Sequence, residues 1–216
     1  MQANQKAEKT FNYLESLFKE AKTELNFSTP FETLVAVILS AQCTDKRVNE
    51  VTAVLFKKYN TPKDFANLKQ EELEKMIYSL GFYHNKAKNI IKMSNQILND
   101  YNGELPKSST ELQKLAGVGR KTANVVSSII FDENVMGVDT HIFRVLNRIG
   151  LTCQNTPEKT EKEFSKKYPN YLNHDAHYRL VLFGRYHCTA RNPKCNECEL
   201  CSICKFYKKG DKNVYR

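Results

Sequence analysis

The stretch LAGVGRKTANVV, residues 115–126, decides the reading of this chain. Gly117-Val118-Gly119 stands between two apolar segments and is followed at once by Arg120 and Lys121. A glycine pair permits a tight turn in which backbone can approach another molecule closely. The N–H groups that open the next helix lack intrahelical acceptors and favour an anion. Upstream, Ser108 and Glu111 have capping-box spacing, so a short helix is expected to end near Ala116. Val118 is expected to anchor the turn in a core. Together these features predict a helix-hairpin-helix over about residues 109–128. Its glycines turn backbone amides toward a phosphodiester, which they hold without reading sequence. The competing explanation is a plain corner between two helices with a glycine cap.

Outward from the hairpin the apolar spacing is helical almost throughout. Phe11, Leu14, Leu17, Phe18 and Ala21 recur at helical intervals. Thr29-Pro30 with Glu32, and Thr61-Pro62 with Asp64, carry start signals. Asp45 can cap a helix that turns Val48, Val51 and Leu55 inward. Further helices are expected near 70–80, 86–101, 109–116, 121–131, 139–149, 157–167 and 173–187, with Gly81 and Gly117 placed as C-terminal caps. No strand alternation competes with them. The expected fold class is all-α with short connections.

Two residues in this frame carry possible chemistry. Lys121 is either a phosphate-contacting cation or an amine nucleophile. A helix N-terminus beside Arg120 disfavours the ammonium form, whereas a nearby carboxylate would favour it. Asp139, in GVDTHIF, precedes a helix that buries Ile142, Val145, Leu146 and Ile149. Its simplest role is N-capping, which would also fix the carboxylate in place.

Lysine and arginine exceed aspartate and glutamate by 33 to 24, a net charge of +9, which suits a polyanionic partner. The N-terminus has no apolar signal region and no stretch reaches the length of a membrane span, so a cytoplasmic protein with no membrane partner is expected. Seven cysteines would leave one unpaired in a disulfide framework. Five of them, Cys188, Cys195, Cys198, Cys201 and Cys204, fall within seventeen residues, which in a reducing compartment reads as metal binding. Soft thiolates suit zinc or an iron–sulfur cluster, and spacing alone leaves both open. Cys43 and Cys153 are expected to be ordinary buried thiols.

LAGVGRKTANVV followed by VDTHIFRVLNRIGL resembles the endonuclease III family of DNA base-excision glycosylases, from about residue 10 to about residue 207. The resemblance implies a two-lobed helix-hairpin-helix glycosylase fold with a C-terminal [4Fe-4S] cluster loop. It places a helical-bundle domain at 24–132. It places a cluster domain at 1–23 plus 133–216, with the loop at 188–204 and a cleft between the lobes. It assigns Lys121 as nucleophile and Asp139 as its acidic partner. The C-x6-C-x2-C-x5-C spacing of Cys188, Cys195, Cys198 and Cys204 is the family's cluster pattern, leaving Cys201 spare. Arg191 and Lys194 then lie on a basic loop that contacts phosphate, as do Arg120 and the Gly117, Val118 and Gly119 amides. Gln42 and Phe82 fall where side chains replace an extruded nucleotide. Phe82 stands where the family more often has leucine, and its alternative is a core aromatic. Asp45 and His141 are further candidates for substrate contact. Ala116 replaces a proline common in the family, which is expected to loosen the hairpin slightly.

The implied function is bifunctional. An N-glycosylase would remove oxidised or ring-saturated pyrimidines from double-stranded DNA, and an AP lyase would cut 3′ to the abasic site through a lysine Schiff base. The enzyme is expected to act as a monomer, associated with the nucleoid. Two alternatives are an adenine-mismatch glycosylase, a branch that lacks the lysine, and a non-catalytic DNA-binding or electron-transfer iron–sulfur protein. The latter would not need both Lys121 and Asp139.

Overall fold

The structure is a computed structural model that describes residues 3–208 and Gly210. Among the described residues it contains no strand. The chain forms α1 (Ala3–Leu17), α2 (Pro30–Ser40), α3 (Asp45–Lys58), α4 (Pro62–Ala66), α5 (Gln70–Ile77), α6 (Tyr83–Asp100), α7 (Ser109–Leu112) and α8 (Arg120–Ile130). There follow α9 (Thr140–Ile149), α10 (Pro157–Lys167), α11 (His174–Leu182) and α12 (Lys205–Lys208), with a π-helical turn, Phe183–His187, continuing α11.

The helices belong to two units, one formed by Thr23–Glu133 and the other by the segments up to Lys22 and from Asn134 onward. In the first, α2 is the central element. Its sequence PFETLVAVILS is apolar nearly all round, and such a helix must be enclosed. Leu34 and Leu39 of α2 pack with Leu55, Phe65, Leu73, Ile90, Met93 and Val126. In the second unit, α9 buries Ile142, Val145, Leu146 and Ile149 against Leu14, Phe164 and Leu180. The N-terminal helix joins this later part of the chain through Phe11, which stacks on Tyr171 at 4.1 Å. Arg179 adds a hydrogen bond to the Phe18 carbonyl.

Local start signals hold with adjustments. Thr61 and Asp64 complete a reciprocal capping box. Thr29 caps α2, but Glu32 turns to the Ser28 N–H instead of the cap residue's own. Thr44, not Asp45, caps α3 by accepting from the Arg47 N–H. Asp45 becomes the first helical residue, where a negative charge still complements the helix dipole. Helix α7 is one turn long and ends at Leu112, because the chain already tightens into i→i+3 bonds from Lys114 to Glu111 and from Leu115 to Leu112. Gly81 is not a left-handed cap. The positive φ falls on the next residue, Phe82. Cys153 is exposed, contrary to expectation, and Cys43 is only half-buried.

Candidate functional site

The hairpin turn joins α7 to α8. Gly117 has φ +78°, and a Cβ there would meet the Asn89 side chain at 2.7 Å, so the position admits only glycine. Val118 is buried and donates to the Leu115 carbonyl. Gly119 differs from its neighbour in kind. Its backbone is extended, it caps α8 without a side-chain hydrogen bond, and among the described residues nothing lies within 4 Å of where a Cβ would stand. The chain itself therefore does not demand glycine at 119. Open space over a helix N-terminus is what an approaching phosphate needs. Arg120 and Lys121 follow immediately, both exposed.

Two other loops of this unit lie side by side, since a Cβ on Gly81 would stand 3.7 Å from the Gln42 carbonyl. Residues 40–43 have the form of a type II turn. Ala41 sits at φ −55°, ψ 117°, Gln42 at φ 56°, and the Cys43 N–H donates to the Ser40 carbonyl at 3.0 Å. Phe82 adopts φ 58°, ψ 29° just ahead of α6. Of the four non-glycine residues with positive φ among the described residues, Asn102 and Asp132 are types that tolerate it. Gln42 and Phe82 are not, and each carries a strain on the order of 1–2 kcal/mol. Phe82 is 62% exposed and so is no core aromatic. Such strain persists only where surrounding structure enforces it. Lys86 supplies that enforcement at the first loop. It is 6% exposed, and its Nζ donates to the Leu39 and Ala41 carbonyls at 2.9 and 2.8 Å, with Cys43 Sγ at 3.3 Å. Across the second loop, the His84 ring meets Glu74 at 2.9 Å. Lys86 was missed in the sequence, although it stands in register with Ile90, Met93 and Ile97, where an apolar residue belongs.

In the other unit, Asp139 Oδ1 accepts the Ile142 N–H at 2.8 Å and so caps α9. His141, the second residue of the helix, faces Arg144 Nη2 at 3.2 Å and lies against Gly184 of the π-turn. A Cβ at Gly184 would come within 2.8 Å of His141, so the glycine permits this close crossing. Arg144 donates to the carbonyls of Gly184 and Cys188 at 2.6 and 3.1 Å. Arg148, 3% exposed, donates to the Thr189 and Ala190 carbonyls, and its Nη1 lies 3.6 Å from Cys188 Sγ. The helix that carries Asp139 thus also holds the start of the cysteine loop. Sequence reading passed over both arginines, which look like solvated charges until their carbonyl partners, some forty residues away, are seen.

Cys188, Cys195, Cys198, Cys201 and Cys204 line one shallow recess together with Ile149, Phe183 and Leu200. None forms a disulfide. Among the described residues, no three side chains of ligating type converge as they would on a single ion. Burial pushes the Cys188, Cys195 and Cys201 thiols above their ordinary range and takes Cys198 to about 12. Arg148 partly offsets this at Cys188. Cys201 Sγ is turned to the Cys195 carbonyl at 2.8 Å, and Cys204 Sγ lies 3.3 Å from the Arg148 carbonyl. Arg191 and Lys194 stand exposed on the loop, which the Lys194 N–H closes onto the His187 carbonyl at 3.0 Å.

A helical fold with this hairpin and a C-terminal cysteine loop defines a class, and residues 35–170 match the HhH-GPD superfamily of base excision DNA repair proteins. The chain is 49% identical to endonuclease III of Bacillus subtilis (strain 168) over 197 residues, covering 91% of this chain and 90% of that protein. It is 45% identical to endonuclease III of Escherichia coli (strain K12) over 189 residues, covering 88% and 90%. A trapped endonuclease III–DNA covalent intermediate superposes with a TM-score of 0.90 at 44% identity, covering 97% of this chain and 99% of that one. The chain belongs to the endonuclease III family of base-excision DNA glycosylase/lyases. Among the described residues, no helix is long and apolar enough to cross a membrane.

Proposed function

We propose that this enzyme removes oxidised or ring-saturated pyrimidines from double-stranded DNA and then cuts the strand at the abasic site, using Lys121 and Asp139. The observation that carries the reading is the hairpin. An exposed lysine stands two residues beyond a glycine whose missing side chain leaves open space at a helix N-terminus. The turn amides, Arg120, Arg191 and Lys194 would neutralise phosphates, while Gln42 and Phe82 fill the place of the extruded nucleotide. Asp45 and His141 are secondary candidates for substrate contact. Lys121, with its amine unprotonated, attacks C1′ of the deoxyribose and the N-glycosidic bond breaks, its electron pair leaving with the base. Ring opening gives an iminium between Nζ and C1′. Loss of the C2′ proton then expels the 3′ phosphate by β-elimination. Asp139 takes part by accepting a proton from the amine or by stabilising positive charge developing on the sugar. The substrate puts the enzyme with the chromosome in the cytoplasm. The enzyme acts as a monomer in this reading.

A panel of lesion duplexes with borohydride present tests this. Ring-saturated pyrimidines should be excised, the strand cut and a covalent adduct trapped, with adenine mismatches left intact. Excision of mismatched adenine without an adduct would favour the adenine-mismatch branch. DNA binding with no excision of any lesion would favour the non-catalytic reading.

We further propose that Cys188, Cys195, Cys198 and Cys204 hold a [4Fe-4S] cluster. The donor set fits in kind, being soft thiols spread around a shared recess and not gathered on one point. The C-x6-C-x2-C-x5-C spacing supports leaving Cys201 out. When bound, the cluster supplies iron–thiolate bonds that fasten the loop. Protein purified without oxygen should contain about four irons and four sulfides, and Cys201→Ser should keep them. Cys188→Ser should lose the cluster or make it labile, with weaker DNA binding. Stoichiometric zinc, or the reverse pattern between the two variants, would refute the assignment.

A further inference from the structure

We propose that Gln96 is a positioning residue for DNA binding, a side-chain clamp that holds the hairpin turn in shape where this chain has alanine, not proline, at 116. The inference rests on the reading of the hairpin as the phosphate site. The first arm of the hairpin, α7, is a single turn and cannot hold the following seven residues by itself. Through that turn the backbone bonds run from Lys114 to Glu111, Leu115 to Leu112 and Val118 to Leu115. The Ala116 N–H is not part of this series. It donates instead to Gln96 Oε1 at 2.8 Å, while Gln96 Nε2 donates to the Lys114 carbonyl at 3.3 Å.

Both ends of one amide are therefore spent on the turn, and in only one orientation. A flipped amide would set donor against donor at Ala116 and acceptor against acceptor at Lys114. Gln96 lies on α6 seven residues beyond Asn89, two turns along the same face. Asn89 is the side chain directly against Gly117. One face of α6 thus cradles the turn at both its first glycine and the residue before it. Proline at 116 would fix φ and have no N–H to satisfy. Alanine leaves φ free and adds a half-buried donor, and Gln96 answers both needs. The alanine therefore does not leave the hairpin loose.

The test measures affinity for a duplex carrying a stable abasic-site analogue, with thermal stability followed in parallel. Gln96→Met keeps most of the side-chain volume and removes both hydrogen bonds. It should weaken duplex binding about tenfold, as should Gln96→Ala. Adding Ala116→Pro to either variant should recover most of the affinity, because the ring replaces the clamp. A purely structural glutamine would lower melting temperature without a proline-specific return of affinity. Gly119→Asp, which places a like charge where phosphate would sit, separates the two layers of the argument. If Gly119→Asp weakens binding and the Gln96 variants do not, the clamp is wrong and the hairpin reading stands. If Gly119→Asp binds like the parent, the hairpin reading fails and the clamp with it. Weak binding by Gln96→Met that Ala116→Pro does not repair would also overturn the proposal.

Discussion

Borohydride added to Lys121→Gln on a lesion-containing duplex is expected to trap no covalent complex at all. Glutamine is close to lysine in length but has no nucleophilic amine, so neither the attack on C1′ nor the iminium can form. Strand cleavage by β-elimination should disappear with the adduct, because the acidity of the C2′ proton depends on the iminium. Lys121 is exposed at the second residue of α8, so the substitution should leave the fold intact. Duplex affinity should fall only a few-fold, with the salt dependence of binding reduced by about one charge. This pattern separates the two roles open to a lysine beside a hairpin. A mere phosphate contact would show the same change in affinity and salt slope but undiminished trapping. Undiminished trapping would place the amine elsewhere in the chain.

The second large effect is expected at Asp139. Its carboxylate already has structural work, accepting the Ile142 N–H at 2.8 Å to cap α9. Asparagine caps a helix about as well as aspartate, so Asp139→Asn should shift the melting temperature by no more than about 2 °C. Base excision, measured in single turnover, should nevertheless fall on the order of 10²-fold or more, the scale of a lost acid–base or charge-stabilising group. Asp139→Ala also loses the cap, about 1 kcal/mol. Its melting temperature should drop by roughly 2–4 °C while its activity falls no further than that of the asparagine variant. If activity across the Asn, Ser and Ala variants instead follows melting temperature, Asp139 is only a cap. The geometry makes the experiment discriminating, since one atom of the group can be kept in its structural role while the charge is removed.

What the sequence by itself determined is the part written in short-range signals. The Ser108, Thr61 and Asp139 caps act over three residues, and the Thr61–Asp64 box formed as spaced. The apolar stripe of α9 lies wholly inside the chain, so Ile142, Val145, Leu146 and Ile149 could be placed in a core beforehand. The hairpin was legible because its glycines, its buried valine and the following basic pair are contiguous. The five cysteines were legible for the same reason.

Tertiary structure alone decided which of these glycines is indispensable. Gly117 is demanded by Asn89 of another helix, whereas Gly119 is demanded by nothing among the described residues. It also decided that Gly81 would pass its left-handed backbone to Phe82 and that Gln42 would share that conformation. No local preference selects glutamine or phenylalanine for positive φ. At Gln42 the cause is distant, a buried ammonium whose acceptors lie 45 and 47 residues away in sequence. Gln96, likewise, is an unremarked polar residue until the fold brings it to a turn 20 residues later. Arg144 and Arg148 read as surface charges until carbonyls some forty residues on surround them. Hydrogen-bond partners and helix caps within one turn are fixed by chain geometry, so sequence spacing reveals them. A buried polar group satisfied across the fold leaves no spacing to read, because its partner is chosen by packing.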